Sequence, residues 1–199
     1  MTSTIIALEG ASGAGKTTIC TELLKRNPLW IGVHPMNFSR ERNIQTEVVG
    51  NSASDYIALA TAMSYPNATI ISDRGFLGHW VYEAYKQGIR KDWITPFLTS
   101  IYNLEDIFHF EIASRWLNLP HIVERPNIHI LVIDPTYEQL MKQRKSSGKE
   151  YPYNELSLYR KMALEIYGIQ NDLHLKVSLI NWPLHVETLE TIITPISNQ

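Results

Sequence analysis

A single cysteine, Cys20, in a chain of 199 residues excludes any internal disulfide and fits a reducing compartment. An excess of charge is also missing. Lys and Arg number 18 against 20 Asp and Glu, a formal net charge of −2. That balance argues against a broad nucleic-acid-binding surface and leaves room only for a local basic cleft. No apolar run approaches the ~20 residues of a membrane-spanning helix. The opening MTSTIIALEG has no basic start, and its apolar run is too short for a secretion signal. A soluble, cytoplasmic protein is expected. Internal repeats and low-complexity tracts are lacking too. What is present suits one α/β domain: 44% of residues are hydrophobic, enough for a sizeable core.

Five short apolar runs, TIIAL, WIGVH, ATIIS, IHILVI and KVSLI, are β-branched and bounded by breakers. Such runs read as strands buried on both faces of a parallel sheet. Helical patterns lie between them: Lys16 to Lys25, about Ala53 to Ser64, Phe76 to Gln87, within Trp93 to Trp116, from Tyr137, Glu155 to about His174, and Val186 to about Ile193. Strands alternating with helices imply right-handed crossovers and a three-layer α/β/α sandwich. Residues 89–126 read as a helical insertion within the single domain 1–199, forming a dimer surface or a lid. Its Trp93, Phe97, Phe108, Phe110 and Trp116 read as core or interface residues.

EGASGAGKTT follows the first apolar run and opens the first helix. Gly10, Ala11, Ser12, Gly13, Ala14, Gly15, Lys16 and Thr17 satisfy G-x-x-x-x-G-K-[ST]. A triphosphate tail presents many acceptor oxygens. Backbone N–H groups ring them only where side chains do not obstruct and φ is free, and glycine supplies both. The helix start adds unpaired N–H groups and a positive dipole end. Lys16 reaches the outer phosphates, the Thr17 hydroxyl ligates Mg²⁺, and Thr18 supports phosphate binding or the helix start. The strand before and the helix after are the context such a loop requires. Glu9 reads as a partner of the magnesium shell or as a charge at the strand tip.

The phosphate loop serves several chemistries, so other residues must choose among them. GTPases read guanine with N-K-x-D; the one N-x-x-D here is NLED, Asn103 to Asp106, with no strand before it, and no D-x-x-G occurs. A small-molecule kinase remains. Asp73 and Arg74 close the third run, where a parallel sheet delivers side chains to its crevice. A carboxylate there holds magnesium or its waters, and a guanidinium suits phosphate oxygens. Asp134 ends the fourth run before Pro135 and reads as a helix N-cap. RKSSGKEYPYNE interrupts a helix with a polar stretch bearing Arg144, Lys145 and Lys149. A basic flap over residues 144–154 would close over a transferring phosphoryl group.

With EGASGAGKTT, SDRGF, DPTYEQLMKQR and RKSSGKEYPYNELSLYRKMALEIY in place, the chain resembles the thymidylate kinase-like branch of P-loop nucleotide kinases, a branch that shares its fold with deoxynucleoside kinases. The resemblance implies a five-stranded parallel sheet, ATP as donor, magnesium, and commonly a homodimer. It assigns Lys16 and Thr17 to the donor phosphates and metal, and Asp73 and Arg74 to the acceptor phosphate. Tyr82 falls near the acceptor, and Arg144 matches a flap-side arginine. Glu155 and Tyr167 match a Glu and a Tyr with structural roles. Two departures bear on the acceptor. Gly75 stands where the family has an aromatic residue, and the family's Arg-Glu-Pro after the second strand is absent. FSRER stands nearest, offering Phe38 for base stacking and Arg40 for the acceptor phosphate.

The reading is ATP-dependent phosphoryl transfer to a nucleoside monophosphate, dTMP being one acceptor. That acceptor's oxygen is already a nucleophile, so positioning and charge neutralisation suffice. A nucleoside hydroxyl would need a base. Related nucleoside kinases place a Glu after the second strand, where this chain has His34 and Pro35. His34 as that base stays open. So do a deoxynucleoside kinase, a kinase of a modified or polymer-borne nucleotide, and a nucleotide-binding regulator without transferase activity.

Overall fold

The computed structural model describes residues 2–34, 44–115, 125–147, 154–169 and 175–181, together with Glu187 and Leu189. The elements run β1 (Thr4–Glu9), α1 (Lys16–Arg26), β2 (Ile31–Val33), α2 (Ile44–Ser64), β3 (Thr69–Ser72), α3 (Gly78–Gln87), α4 (Ile94–Arg115), β4 (Asn127–Asp134), α5 (Tyr137–Ser147), α6 (Glu155–Tyr167) and β5 (Leu175–Asn181). The strands form one five-stranded sheet in the order β2-β3-β1-β4-β5. Every pairing is parallel, with Thr4 opposite Thr69 on one side and Asn127 on the other. All five apolar runs are therefore strands, and the expected three-layer sandwich is the fold.

Period-two alternation explains why the runs are continuously apolar. Ile5 and Ala7 face a core shared with α2, α3, α4 and α6, while Ile6 and Leu8 face Ile19, Cys20 and Leu23 of α1. Burying each isoleucine contributes ~1.5–3 kcal/mol relative to exposure. Burial pushes the Cys20 thiol up to about 12, so it packs as a small apolar group. Trp93, Phe97 and Ile101 belong to the first core, so the described part of the 89–126 segment packs into the domain. Trp116 and the side chains of Phe108 and Phe110 lie outside the described residues. No helix among the described residues is long and apolar enough to cross a membrane.

Several boundaries differ from the sequence reading. α2 begins at Ile44, not near Ala53; Gly50 and Asn51 interrupt the pattern but not the helix, a tolerable cost of ~1 kcal/mol. α4 carries Pro96 in its first turn, where the missing N–H has no intrahelical role. α6 ends at Tyr167 ahead of Gly168, not at His174. Tyr167 itself is 62% exposed, which rules out a packing role. Asp134 is not the N-cap of α5. Thr136 is, through a reciprocal box with Gln139: Thr136 N–H donates to Gln139 Oε1 at 2.8 Å and Gln139 N–H to Thr136 Oγ1 at 3.3 Å. Asp134 instead accepts both prongs of Arg160, at 2.7 and 2.9 Å.

Candidate active site

β1 lies at the centre of the sheet, between β3 and β4. The chain leaves its carboxyl end beside the point where strand order reverses, the place such sheets offer ligands. Gly10, Gly13 and Gly15 all take positive φ, 133°, 88° and 85°, and curl the loop back onto α1. Gly10 has no room for a side chain: a Cβ there would stand 2.6 Å from the Ile133 carbonyl oxygen. Ala11 and Ala14 turn inward and are fully buried. Gly13, Thr17 and Thr18 face solvent at the start of α1, where Thr17 Oγ1 is available to a cation. The loop is thus a curled backbone cradle at a helix N-terminus, an anion site by construction. Gly10→Ala is expected to destabilise the fold by ~2 kcal/mol or more, since backbone must move. A thermal melt should then drop by ~4–8 °C for a chain of this size; an unchanged midpoint would contradict the close approach.

Lys16 is nearly buried and folds back over the loop, donating to the Gly10 carbonyl at 2.6 Å and the Ala11 carbonyl at 3.0 Å. Burial pulls its pKa down to about 8, and the like charge of Arg74 pulls the same way against Glu155, Glu9 and Asp73. Two cations from different elements therefore repel within one crevice. Asp73, just beyond β3, is buried, and its Oδ1 has no hydrogen-bond partner among the described residues. Its Oδ2 lies 3.8 Å from His34 Nδ1 at the end of β2. An orphaned carboxylate oxygen is the kind of donor that Mg²⁺ takes. Protein ligands are few in such sites because phosphate and water supply the rest. No group of three or more acidic, His or Cys side chains among the described residues forms a self-sufficient metal cage.

Arg144 is not out on a flap. It sits near the end of α5, buried, with Nη2 on Glu155 Oε2 at 2.8 Å and Nε on the Ser12 carbonyl at 2.9 Å. Glu155 Oε1 in turn accepts the Ser12 N–H at 3.0 Å and its hydroxyl at 3.2 Å. The α5–α6 pair thus grips the tip of the phosphate loop by both backbone groups of one residue. Tyr82 of α3 brings its hydroxyl to 3.4 Å from Ser12 Oγ. Glu9 is not a charge at the strand tip: it is fully buried, and its Oε1 accepts the N–H groups of Gly75, Leu77 and Gly78. Phe38, Arg40, Lys149 and residues 148–153 of the expected flap lie outside the described residues.

A cavity of about 280 Å³ opens between α2, α3 and α4, lined by Asp55, Phe76, His79, Ser100, Asn103 and Leu104 among others. It begins two residues beyond Arg74. Asp55 carried no motif signal. Its one trace is position, since Asp55, Ala58, Leu59 and Ala62 share one helical face and the last three are core. An acid on that stripe marks a buried polar contact.

A central β1, a curled glycine loop and a helix behind it define a P-loop fold. The chain matches no protein-family model and no curated protein. Solved structures share this fold. Thymidylate kinase from Candida albicans matches with a TM-score of 0.59 at 14% identity, covering 100% of this chain and 94% of that one. Deoxyadenosine kinase from M. mycoides, with the products dCMP and a flexible dCDP bound, matches at 0.54 and 16% identity, over 98% of this chain and 100% of that one. Thymidylate kinase from Ehrlichia chaffeensis matches at 0.52 and 15% identity, over 98% and 99%. The fold is that of the P-loop nucleotide kinases.

Proposed function

We propose that this chain transfers the γ-phosphoryl group of ATP to a nucleoside monophosphate, in the manner of a thymidylate kinase. The carrying observation is a curled backbone anion cradle with the buried Lys16 folded over it, and Arg74 near enough that its charge adds to the burial that lowers the Lys16 pKa. Such a crevice is completed by a multiply charged phosphate chain. The donor's phosphates lie on the amides of residues 10–17, with Lys16 on the outermost. Mg²⁺ at Thr17 and Asp73 would neutralise charge on the donor phosphates. Arg74 holds the acceptor's phosphate, and the cavity between α2, α3 and α4 takes its base. The acceptor phosphate needs no base to react, so His34, half-exposed and 3.8 Å from Asp73, has no chemical task in this reading.

That same contact favours a second reading. A half-exposed imidazole stands 3.8 Å from a buried carboxylate at the sheet's edge, and a nucleoside hydroxyl would use such a base. The experiment is an acceptor screen with ATP and magnesium, monitored by ADP release. Turnover with monophosphates, preserved in His34→Ala, is expected. Turnover with nucleosides alone, abolished in His34→Ala, would establish the deoxynucleoside kinase instead. Label appearing only in DNA or RNA would mark a polymer-borne acceptor, and ATP binding without any product a regulator. The homodimer implied by the resemblance belongs to the same proposal and is read by light scattering.

A further inference from the structure

The turn after Arg74 has no cap of its own. α3 starts at Gly78 with Leu77 as N-cap residue, which offers no side-chain hydrogen bond. The first N–H groups of a helix need partners. Here they come from acids on two other elements. Glu9, directly before the phosphate loop, accepts Gly75 at 3.1 Å, Leu77 at 3.0 Å and Gly78 at 2.9 Å. Asp55 of α2 accepts the N–H between them, that of Phe76. The backbone bends to reach both. A Cβ at Gly75 would stand 2.8 Å from Asp55 Oδ1, and Phe76 takes φ 49°, a left-handed conformation rare for an aromatic residue. Strain of this kind, ~1–3 kcal/mol, persists only where surrounding contacts over-determine it. A side chain at position 75 would therefore displace Asp55 from the turn, while the aromatic ring beside it, Phe76, is fully packed.

We propose that Glu9 and Asp55 are positioning residues that lock the 75–78 turn to the strand launching the phosphate loop, and so set Arg74 and Asp73 against that loop. This rests on the role proposed above for Arg74. The two acids divide the work. Burial raises Glu9 to about 7, while Lys16 and the three N–H groups pull it down and favour its charge. Burial, with Glu9's charge added, drives Asp55 well above the usual carboxylate range against the pull of the Phe76 N–H. Burial thus favours the protonated form of Asp55, whose Oδ2 lies 3.8 Å from His79 Nδ1. His79 is neutral, since burial lowers it to about 4. An amide at position 55 can thus do what the acid does.

The test is a set of double-mutant cycles on the full chain with ATP, magnesium and the acceptor found in the screen. Glu9→Ala and Asp55→Ala should each lower kcat roughly 30-fold or more, because a displacement of about 1 Å at a reacting group costs up to ~100-fold. ATP affinity by calorimetry should hold within about 3-fold in both, since the cradle itself is untouched. Asp55→Asn should recover most of the Asp55→Ala loss. In an Arg74→Ala background the further loss should shrink below about 3-fold, because residues acting through one group are not additive. Losses that multiply in full would overturn the inference. Inert Glu9 and Asp55 variants beside a damaging Arg74→Ala would overturn it alone; a wild-type Arg74→Ala would remove the proposed function's arginine as well. Should Glu9→Ala fail to fold, Asp55→Ala and its cycle carry the same test. A second arm needs no turnover. Amides of Gly75, Leu77 and Gly78 should exchange slowly in the nucleotide-free protein and fast in Glu9→Ala, with β1 still protected. Unchanged exchange would overturn the inference whatever the activity.

Discussion

Lys16→Ala loses at least ~100-fold in turnover, the loss expected when a preorganised charge aimed at a transferring group is removed. The geometry argues that the loss falls on function rather than on folding. Lys16 donates its ammonium to the Gly10 and Ala11 carbonyls of its own loop. Those two bonds stabilise the folded state, but the same burial and the neighbouring Arg74 depress its pKa to about 8. Its folded pKa lies below the ordinary lysine value, so the charge is less favourable in the fold than in the unfolded chain. The two effects oppose each other. The melting temperature of Lys16→Ala is therefore expected within ~4 °C of wild type, about 1 kcal/mol for a chain of this length. ATP uptake measured by calorimetry should weaken but remain detectable, since the backbone amides of the cradle are intact. Turnover near the wild-type rate would remove Lys16 from the chemistry. A large drop in melting temperature would instead make the lysine a structural strut.

The strands were legible because β1, β3 and β4 are buried on both faces, and a run such as IHILVI has few other uses in a chain of this composition. The phosphate loop was legible because its need for backbone access forces glycine at set positions. What the spacing of residues did not convey was long-range polar pairing. Asp134 beside Pro135 matched a capping pattern, yet the Thr136–Gln139 box caps the helix and Arg160, on α6, claims the aspartate. Arg144 read as a mobile cation because polar residues follow it. Its partners, Glu155 and the Ser12 carbonyl, are 11 and 132 positions away, and only the folded chain brings them together. Glu9 and Asp55 show the same limit. α3 starts later than its apolar pattern, at Gly78 rather than Phe76, because Phe76 takes a left-handed φ of 49° in the turn that Glu9 and Asp55 hold.

Arg74→Ala is expected to lower turnover at least ~100-fold, with most of the loss in kcat/KM for the acceptor. Arg74 follows Asp73 at the carboxyl edge of the sheet, and the adjoining turn is tied to β1 by three hydrogen bonds and to α2 by a fourth. A side chain launched from so constrained a backbone loses little entropy on gripping a phosphate. Its charge adds to the burial that lowers the Lys16 pKa, so the two cations stand in one electrostatic neighbourhood. Removing the guanidinium leaves an acceptor phosphate without its planar pair of donors. Arg74→Lys should therefore recover less than about 10-fold of the loss, because an ammonium restores the charge but not the fork. It should also relieve none of the repulsion that adds to burial in lowering Lys16 to about 8, whereas Arg74→Ala should raise the Lys16 pKa. Both readouts, acceptor kinetics and the Lys16 titration followed by NMR, bear on one geometry. Full activity in Arg74→Ala, or a Lys16 titration indifferent to residue 74, would separate the two cations and leave the acceptor phosphate to another group.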